Sequence, residues 1–456
     1  MLATTAGSFR PAGTLEVNGA LRPYRGSWDA RRAAHLLRRA GFGGSPEEVA
    51  RFAALPMDRA VDALIHFADT SAIPVAPQLS ADRMARRENA VALMQWWIGR
   101  MIATPAPLQE KMVLFWHGHF TSAYEGKGIT GPDMLGQNQL FRANALGNIR
   151  DLALAVSHDP AKLKYHDNRA NNAKHPNENY ARELMELFTL GLGNYTEADV
   201  RESARAFTGY TLDRDDQFVF NQRIHDDGVK TFLGRTGNFN GDDVVAIIFQ
   251  QAACAKFFAT KLLEFFVYDD PEPQLVESFA AVLRQHDFAL EPAMSMLLRS
   301  NVFYSDRAYR ALVKSPTEFV VGTFRLLGLS TEAVEPVVLA AMTRMGQRLF
   351  FPPNVKGWDG GAAWINSGTL LTRENFAAYA TANPQMMQAA SWLAPQNLDP
   401  KDVASLILAH VLQDDVSPAA RAQLEAYLSG ANMDEMEERI RGAVYLAMAT
   451  PAYQLS

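Results

Sequence analysis

His175-Pro176-Asn177-Glu178-Asn179-Tyr180-Ala181-Arg182-Glu183-Leu184-Met185-Glu186-Leu187-Phe188-Thr189-Leu190-Gly191 reads as one amphipathic helix with its own start and stop. Pro176 and Asn177 open it, Gly191 closes it, and Tyr180, Leu184, Leu187 and Phe188 recur at the spacing that lines one face. Glu178, Arg182 and Glu186 form a ladder on another side, worth only ~0.3–0.5 kcal/mol per exposed pair. Glu183 does not fit that account. It borders Leu184 and Leu187 at the edge of the apolar stripe, where a carboxylate is either paired with a buried arginine or held as an acid, base or metal ligand. Asn177 and Glu178 stand where free N–H groups are placed to receive an anion.

The same punctuation recurs along the chain. Ser45-Pro46-Glu47-Glu48 and Ser315-Pro316-Thr317-Glu318 each set a hydroxyl, a proline and a glutamate where a capping box needs them. Thr196 with Asp199 opens a helix that Gly209 closes, and Ser417-Pro418 opens one that Gly430 ends. Further helices are predicted over 82–103, 107–118, 133–145, 147–157, 242–249, 252–266, 272–284, 292–299, 370–380, 401–411 and 434–448. One stretch breaks the pattern: Phe218 to Ile224 is β-compatible, Asp226-Asp227-Gly228 signals a turn, and Val229 to Leu233 returns. The expected architecture is all-α: an irregular N-terminal arm over 1–27, then a single large, predominantly helical domain over 28–456 with one small β-hairpin near 218–233.

Composition removes several function classes. The 456-residue chain sets 44 Lys and Arg against 50 Asp and Glu, a net charge of −6 with no dense basic patch, so no nucleic-acid partner is expected. A single cysteine, Cys254, excludes an internal disulfide and a Cys-x-x-Cys redox pair. Residues 1–27 hold no apolar run of the ~7–15 residues a secretory signal needs, and nothing reaches the ~18–20 of a membrane span. Arg31-Arg32 and Arg38-Arg39 lead into no such run and read as solvated arginines on a short helix. A soluble, cytoplasmic protein is expected. Phosphate loops, His-Glu-x-x-His and Gly-x-Ser-x-Gly are absent, and Gly191-Leu192-Gly193 follows a helix rather than a strand, so it is no dinucleotide fingerprint.

Three further stretches carry chemistry. In Pro107 to Phe120, Leu108, Met112, Phe115, Trp116 and His119 share one buried face. On a continuous helix His117 and His119 lie about 200° apart and cannot share a metal. Unwinding at Gly118 would turn both the same way and let them chelate. The plainer reading has His119 hydrogen-bonded in the core beside a surface His117. In Arg223 to Lys230, His225 with Asp226 is either a metal-binding or proton-transfer pair or an ordinary Asp-Gly turn with solvated neighbours. In Phe351 to Asn366, Trp358 and Trp364 either stack on a sugar or peptide face, oriented by Asn354, Asp359 and Asn366, or plug the helical core.

His35 through Gly43, Phe115 through Phe120, Asn177 through Gly191, Thr196 through Gly209, His225-Asp226 with Lys230, and Pro352 through Trp364 occur together in one register over residues 30–380. That set resembles the bacterial family DUF1800, domain of unknown function 1800. The resemblance implies a predominantly helical fold. It also implies relatives with a twin-arginine export signal, which makes a periplasmic location the alternative to a cytoplasmic one. A phosphatase- or sulfatase-like protein encoded nearby is the partner it suggests. It carries no reaction.

The site expected from these pieces gathers the His117/His119 segment, the Asn177 to Glu186 stretch and the His225-Asp226 turn. Glu183 serves as general base or ligand, His119 and His225 as proton carriers or ligands, and Arg182 or Lys230 as electrostatic stabilisers. Asn177, Glu178, Trp358, Trp364 and Arg373 contact the substrate. A divalent metal (zinc, iron or manganese) would draw its ligands from His117, His119, Glu183, His225 and Asp226. Acid–base partnership requires His119, Glu183 and His225 within about 10 Å of one another. The competing reading is non-catalytic: a partner of the phosphatase-like neighbour, or a binder of envelope polysaccharide through the tryptophan loop.

Overall fold

Helix starts show how directly local chemistry sets this fold. In the computed structural model, which describes residues 19–67, 74–383, 399–430 and 435–456, Ser315 Oγ accepts from Glu318 N at 3.2 Å and Glu318 accepts from Ser315 N at 2.7 Å. Thr196 and Asp199 close the same reciprocal box ahead of Glu197–Ala206. Ser45 caps Pro46–Ala54, but Glu48 leaves the box and takes Arg325 at 2.8 Å, tying that helix to Pro316–Leu327. Each cap satisfies an end N–H that would otherwise be orphaned, worth about 1 kcal/mol.

Helices follow one another from Ala30–Arg39 to Pro451–Gln454, the all-α architecture the periodicity predicts. Their inner faces merge into one hydrophobic cluster running from Ala20 to Tyr453, around the buried Trp97, Trp116, Phe141 and Tyr180. Pro107–His119 runs through this cluster and packs on Arg86–Ala103 and Gly131–Ala143, with Leu108, Met112 and Trp116 fully buried. Burying such side chains supplies roughly 1.5–3 kcal/mol each. Ala252–Phe266 lies against Pro273–Gln285, while Pro400–Leu412, Pro418–Ser429 and Met436–Met448 form a trio that docks on Ser367–Ala382. Among the described residues no single helix is long and apolar enough to cross a membrane.

The start of the Pro107–His119 helix is ionic. Arg142 grips both oxygens of the buried Glu110 (2.6 and 2.9 Å), Arg100 adds a bond at 3.2 Å and Trp97 Nε1 another at 3.0 Å. Burial alone would raise this carboxyl; the two guanidinium groups outweigh it and hold the group below its ordinary range.

The β-structure differs from expectation in its pairing. Phe218–Phe220 pairs back, antiparallel, with Tyr210–Leu212, and Lys230–Phe232 pairs with Arg235–Gly237. Two small hairpins thus stand where one was expected. Their turns explain it. Asp213 Oδ1 accepts from the N–H groups of Asp215 and Gln217, both at 2.9 Å, closing the first loop. Leu233 (φ 45°) and Gly234 (φ 78°) both occupy the left-handed region that a two-residue hairpin loop demands. Between the hairpins, Asp226 is tied sideways to Arg205 of the Glu197–Ala206 helix.

Two other readings change. Arg38 and Arg39 are not solvated: Arg39 is buried, donating to the Val267 and Ala308 carbonyls, and the Arg38 guanidinium lies inside the fold. Of the N-terminal arm, residues 1–18 lie outside the described residues, and the remainder is tied down where Tyr24 N donates to the Arg299 carbonyl at 2.8 Å.

Candidate functional site

The Pro107–His119 helix continues through Gly118, so its two histidines face different ways. His117 points into the core, 1% exposed; its Nε2 accepts from Phe350 N at 3.1 Å and its ring meets Trp97 edge-on. The surface position expected for His117 is thereby corrected. His119 stacks on Phe115, ring centroids 5.8 Å apart, and its Nε2–H donates to the Phe188 carbonyl at 2.9 Å. Burial drives both imidazoles down to about 3, so each is neutral near neutral pH. With Nε2 the donor, His119 Nδ1 is left as an acceptor, on a residue that walls a cleft.

That cleft, of about 720 Å³, opens between the end of this helix, Ala252–Phe266 and the loop around Trp358. Phe115, Phe257, Phe265, Trp358 and Trp364 supply aromatic walls. Trp364 is buried and Trp358 half-buried, and both line the opening. The loop is held by its backbone. Thr121 Oγ1 donates to the Val355 carbonyl at 2.5 Å, and Gly357 lies so close to Gly118 that any Cβ there would overlap the Gly118 carbonyl. With φ at 86°, position 357 requires glycine on both counts.

Charge in the cleft is unequal. Glu186, Glu264, Asp269, Asp270, Glu318 and Asp359 line it against Lys261 and Lys356. Glu318 is paired with the buried Lys111, and Glu264 with Lys261 at 3.3 Å. Glu186 accepts the Tyr195 hydroxyl at 2.9 Å, while Asp269 has no hydrogen bond or ion pair among the described residues. Burial and the adjacent Asp270 push the Asp269 carboxyl above its ordinary range. It stands against the tryptophan loop, where a Cβ on Gly361 would lie 3.3 Å from Asp269 Oδ2. A carboxyl raised in this way in a cleft is suited to donate a proton.

Glu183 adjoins this cleft without lining it. The helix expected over 178–190 is α only to Glu183; Leu184–Thr189 is a π-helix, in which Leu190 N bonds back to Met185 O at 2.9 Å. With the wider turn, a feature frequent at functional sites, Glu186 reaches the cleft while Glu183 stays half-buried on the side of Lys162. Burial and Glu186 push the Glu183 carboxyl up, opposed by Lys162. No arginine pairs with it: among the described residues Glu183 has no hydrogen bond or ion pair.

Behind Glu183 lies a buried polar layer. Lys162 donates to the Thr121 carbonyl at 2.8 Å and sits 3.7 Å above the Phe188 ring. Asp159 accepts from Gln137 at 2.6 Å and Lys162 N at 2.8 Å, and burial pushes its carboxyl up to about 7. His166 is fully buried, and among the described residues neither ring nitrogen is hydrogen-bonded. Phe188 joins this layer to the cleft, its ring under Lys162 and its carbonyl on His119.

The other sequence candidates are occupied by structure. His225 Nδ1–H donates to the Thr208 carbonyl at 2.8 Å. Asp226 takes two bonds from Arg205, at 2.7 and 3.1 Å, which hold its carboxyl down at about 2. Lys230 is buried, donating to the Asp226 and Gly228 carbonyls. Arg182 is bidentate to Glu197 (2.7 and 2.8 Å) and bonds Glu178 at 3.2 Å. Asn177 caps its own helix, accepting from Asn179 N at 3.0 Å. Arg373 is fully buried and donates to the Lys314 carbonyl at 2.7 Å, within the packing of Ser367–Ala382. None of these lines the cleft. The proposed ligand set of His117, His119, Glu183, His225 and Asp226 is not gathered either: among the described residues no three His, Cys, Asp or Glu side chains converge as metal ligands.

Asp269 and Lys162 escape a reading by pattern. Asp269-Asp270-Pro271 has the form of a plain helix stop; the signal available is the apolar run Phe265-Phe266-Val267-Tyr268, which delivers Asp269 to the edge of the core. Lys162 sits in a short, charged segment with no such signal. The sequence model of the family described as "Protein of unknown function (DUF1800)" matches residues 35–455. No curated protein and no solved structure matches the chain.

Proposed function

The chain belongs to the DUF1800 family, and on that premise we propose that it binds a neutral or amino-bearing glycan in the tryptophan cleft and hydrolyses it by acid–base chemistry. The observation that carries this reading is the convergence, in one cleft, of tryptophan side chains, the His119 ring and carboxylates without cationic partners. Aromatic faces accept the apolar face of a sugar ring, and carboxylates take its hydroxyl or ammonium hydrogens. The acidic balance of the lining disfavours phosphorylated and other polyanionic ligands.

Roles follow from the surroundings. Asp269, which burial and Asp270 keep protonated to higher pH, gives its proton to the leaving oxygen. Glu186, bonded by Tyr195, takes a proton from the attacking water. His119 Nδ1 accepts a hydrogen bond from a substrate hydroxyl; held to about 3, the ring orients rather than carries protons. Glu183, whose own carboxyl is pushed up by burial and by Glu186, does not touch substrate.

Tryptophan fluorescence titrated with neutral and amino-sugar oligosaccharides reads the binding step, and release of reducing ends reads hydrolysis. Wild-type protein should do both. Asp269→Asn should bind and not cleave, and Trp358→Ala should weaken binding about tenfold, the scale of ~1.4 kcal/mol for a lost stacking contact. Binding without cleavage in the wild type selects the non-catalytic, polysaccharide-binding role. Failure to bind any oligosaccharide overturns the reading.

A further inference from the structure

A second cavity, of about 390 Å³, lies between Ala30–Arg39, Pro46–Ala54, Pro316–Leu327 and Pro400–Leu412. Glu318 lines both this cavity and the tryptophan cleft. Its wall is largely apolar, with Ala34, Phe42, Val49, Leu326 and Tyr453 facing in. Into that wall is set Lys314, 7% exposed, its ammonium 3.8 Å over the Tyr453 ring and with no hydrogen bond or ion pair among the described residues. Arg38 lines the same space. It donates to Gln413, but its Nε and Nη2 are buried without an acceptor among the described residues.

The neighbouring side-chain carboxylates already have partners. Glu318 holds Lys111, Asp414 holds Arg421 at 2.6 Å, and Asp415 holds Arg31 and Arg310 at 3.1 and 2.9 Å. Asp29 caps its helix, accepting from Arg32 N at 2.9 Å. Burial, and then the charges of Arg38, Arg310 and Arg373, loosen the hold of Lys314 on its proton against the opposing pull of Glu318, which Lys111 already engages. A cation removed from water without a counter-charge destabilises the fold that contains it, and a bound anion relieves that cost.

We propose that this cavity binds a small amphipathic anion, a carboxylate or phosphate head on an apolar body. Lys314 and Arg38 hold the head; Phe42, Val49, Leu326 and Tyr453 enclose the body. The volume is in the range of pockets that take small organic ligands. The site is independent of the glycan reading and survives its failure.

Calorimetry and thermal unfolding of the full chain with hexanoate, hexanol and inorganic phosphate test it. Wild-type protein should bind hexanoate about tenfold or more tightly than hexanol, with a matching rise in Tm. Lys314→Met should melt above wild type in ligand-free buffer, because the uncompensated charge is gone, and should lose hexanoate affinity about tenfold. Should that variant fail to fold, Arg38→Gln carries the same expectation for binding. Phosphate binding without hexanoate binding would support the anionic head and overturn the apolar body. Binding of neither anion by the wild type, or undiminished hexanoate binding in both variants, overturns the proposal.

Discussion

The two ends of the Pro107–His119 helix bring ionisable side chains to opposite fates. At its start every charge is answered: Glu110 has Arg142, Arg100 and the Trp97 indole, all inside the core. At its end the answering stops. His119 has one nitrogen bound and the other beside a cleft, and Asp269 on the same cleft has no partner among the described residues. Saturated polar groups hold architecture; unsaturated ones next to empty space are available to a ligand. By this criterion Asp226, taken up by Arg205, belongs with Glu110, although its residue type looks catalytic, and His225 lies away from the cleft.

The contrast can be broken most readily at Glu110. Glu110→Ala leaves two guanidinium groups buried without a counter-charge and should cost about 3–5 kcal/mol in denaturant unfolding. A loss under about 1 kcal/mol would mean that the ionic cluster is not structural.

Acid comes next. His117 and His119 are held to about 3, whereas an unfolded histidine titrates near 6.5, so the unfolded chain takes up protons that the folded chain refuses. Their contribution is therefore complete above pH ~6.5 and falls by up to ~1.4 kcal/mol per pH unit for each ring as pH drops toward 3. His117→Asn should flatten that slope in a pH series of unfolding curves. Asp159 runs the other way: raised to about 7, it weakens the fold as pH climbs toward that value. Asp159→Asn should accordingly raise Tm at pH 8 and steepen the decline in acid, and a lower Tm at pH 8 would count against a raised Asp159 carboxyl.

Asp226→Ala sharpens the comparison at smaller scale. It strands Arg205 at a partly exposed site, so unfolding should move by about 1 kcal/mol while glycan binding stays put. A binding loss there would return the turn to the functional site. Arg182→Ala, on the surface ladder, should change neither measurement detectably.

Legibility followed range in the chain. Caps were readable because Ser315 and Glu318, or Thr196 and Asp199, complete their interaction within one turn. The depth of His117 was not, because Pro107–His119 is buried on nearly every side and its periodicity cannot distinguish an inner from an outer face. His119, Trp358 and Trp364 were each visible as local oddities, and the structure puts them around one cleft. Asp226 misled because its partner, Arg205, stands on a helix whose sequence advertises only its ends. Glu186 looked like a surface rung, since a π turn uses the same residues as an α turn and nothing in the spelling marks the difference.

That wide turn has a consequence for chain length. Between Glu183 and Leu190 the backbone is wound one residue more generously than an α ladder requires, with Thr189 Oγ1 donating to Leu184 O at 2.5 Å to steady the slack. Deleting Leu184 or Met185 would let the coil close into an α turn, leave the chain beyond Thr189 in register and move Glu186 back one position, about 100° around the axis. The amino-acid inventory would scarcely change, yet the acid beside Tyr195 would be re-aimed. A relative shorter by a single position here should therefore have a differently furnished pocket, whatever motifs it shares.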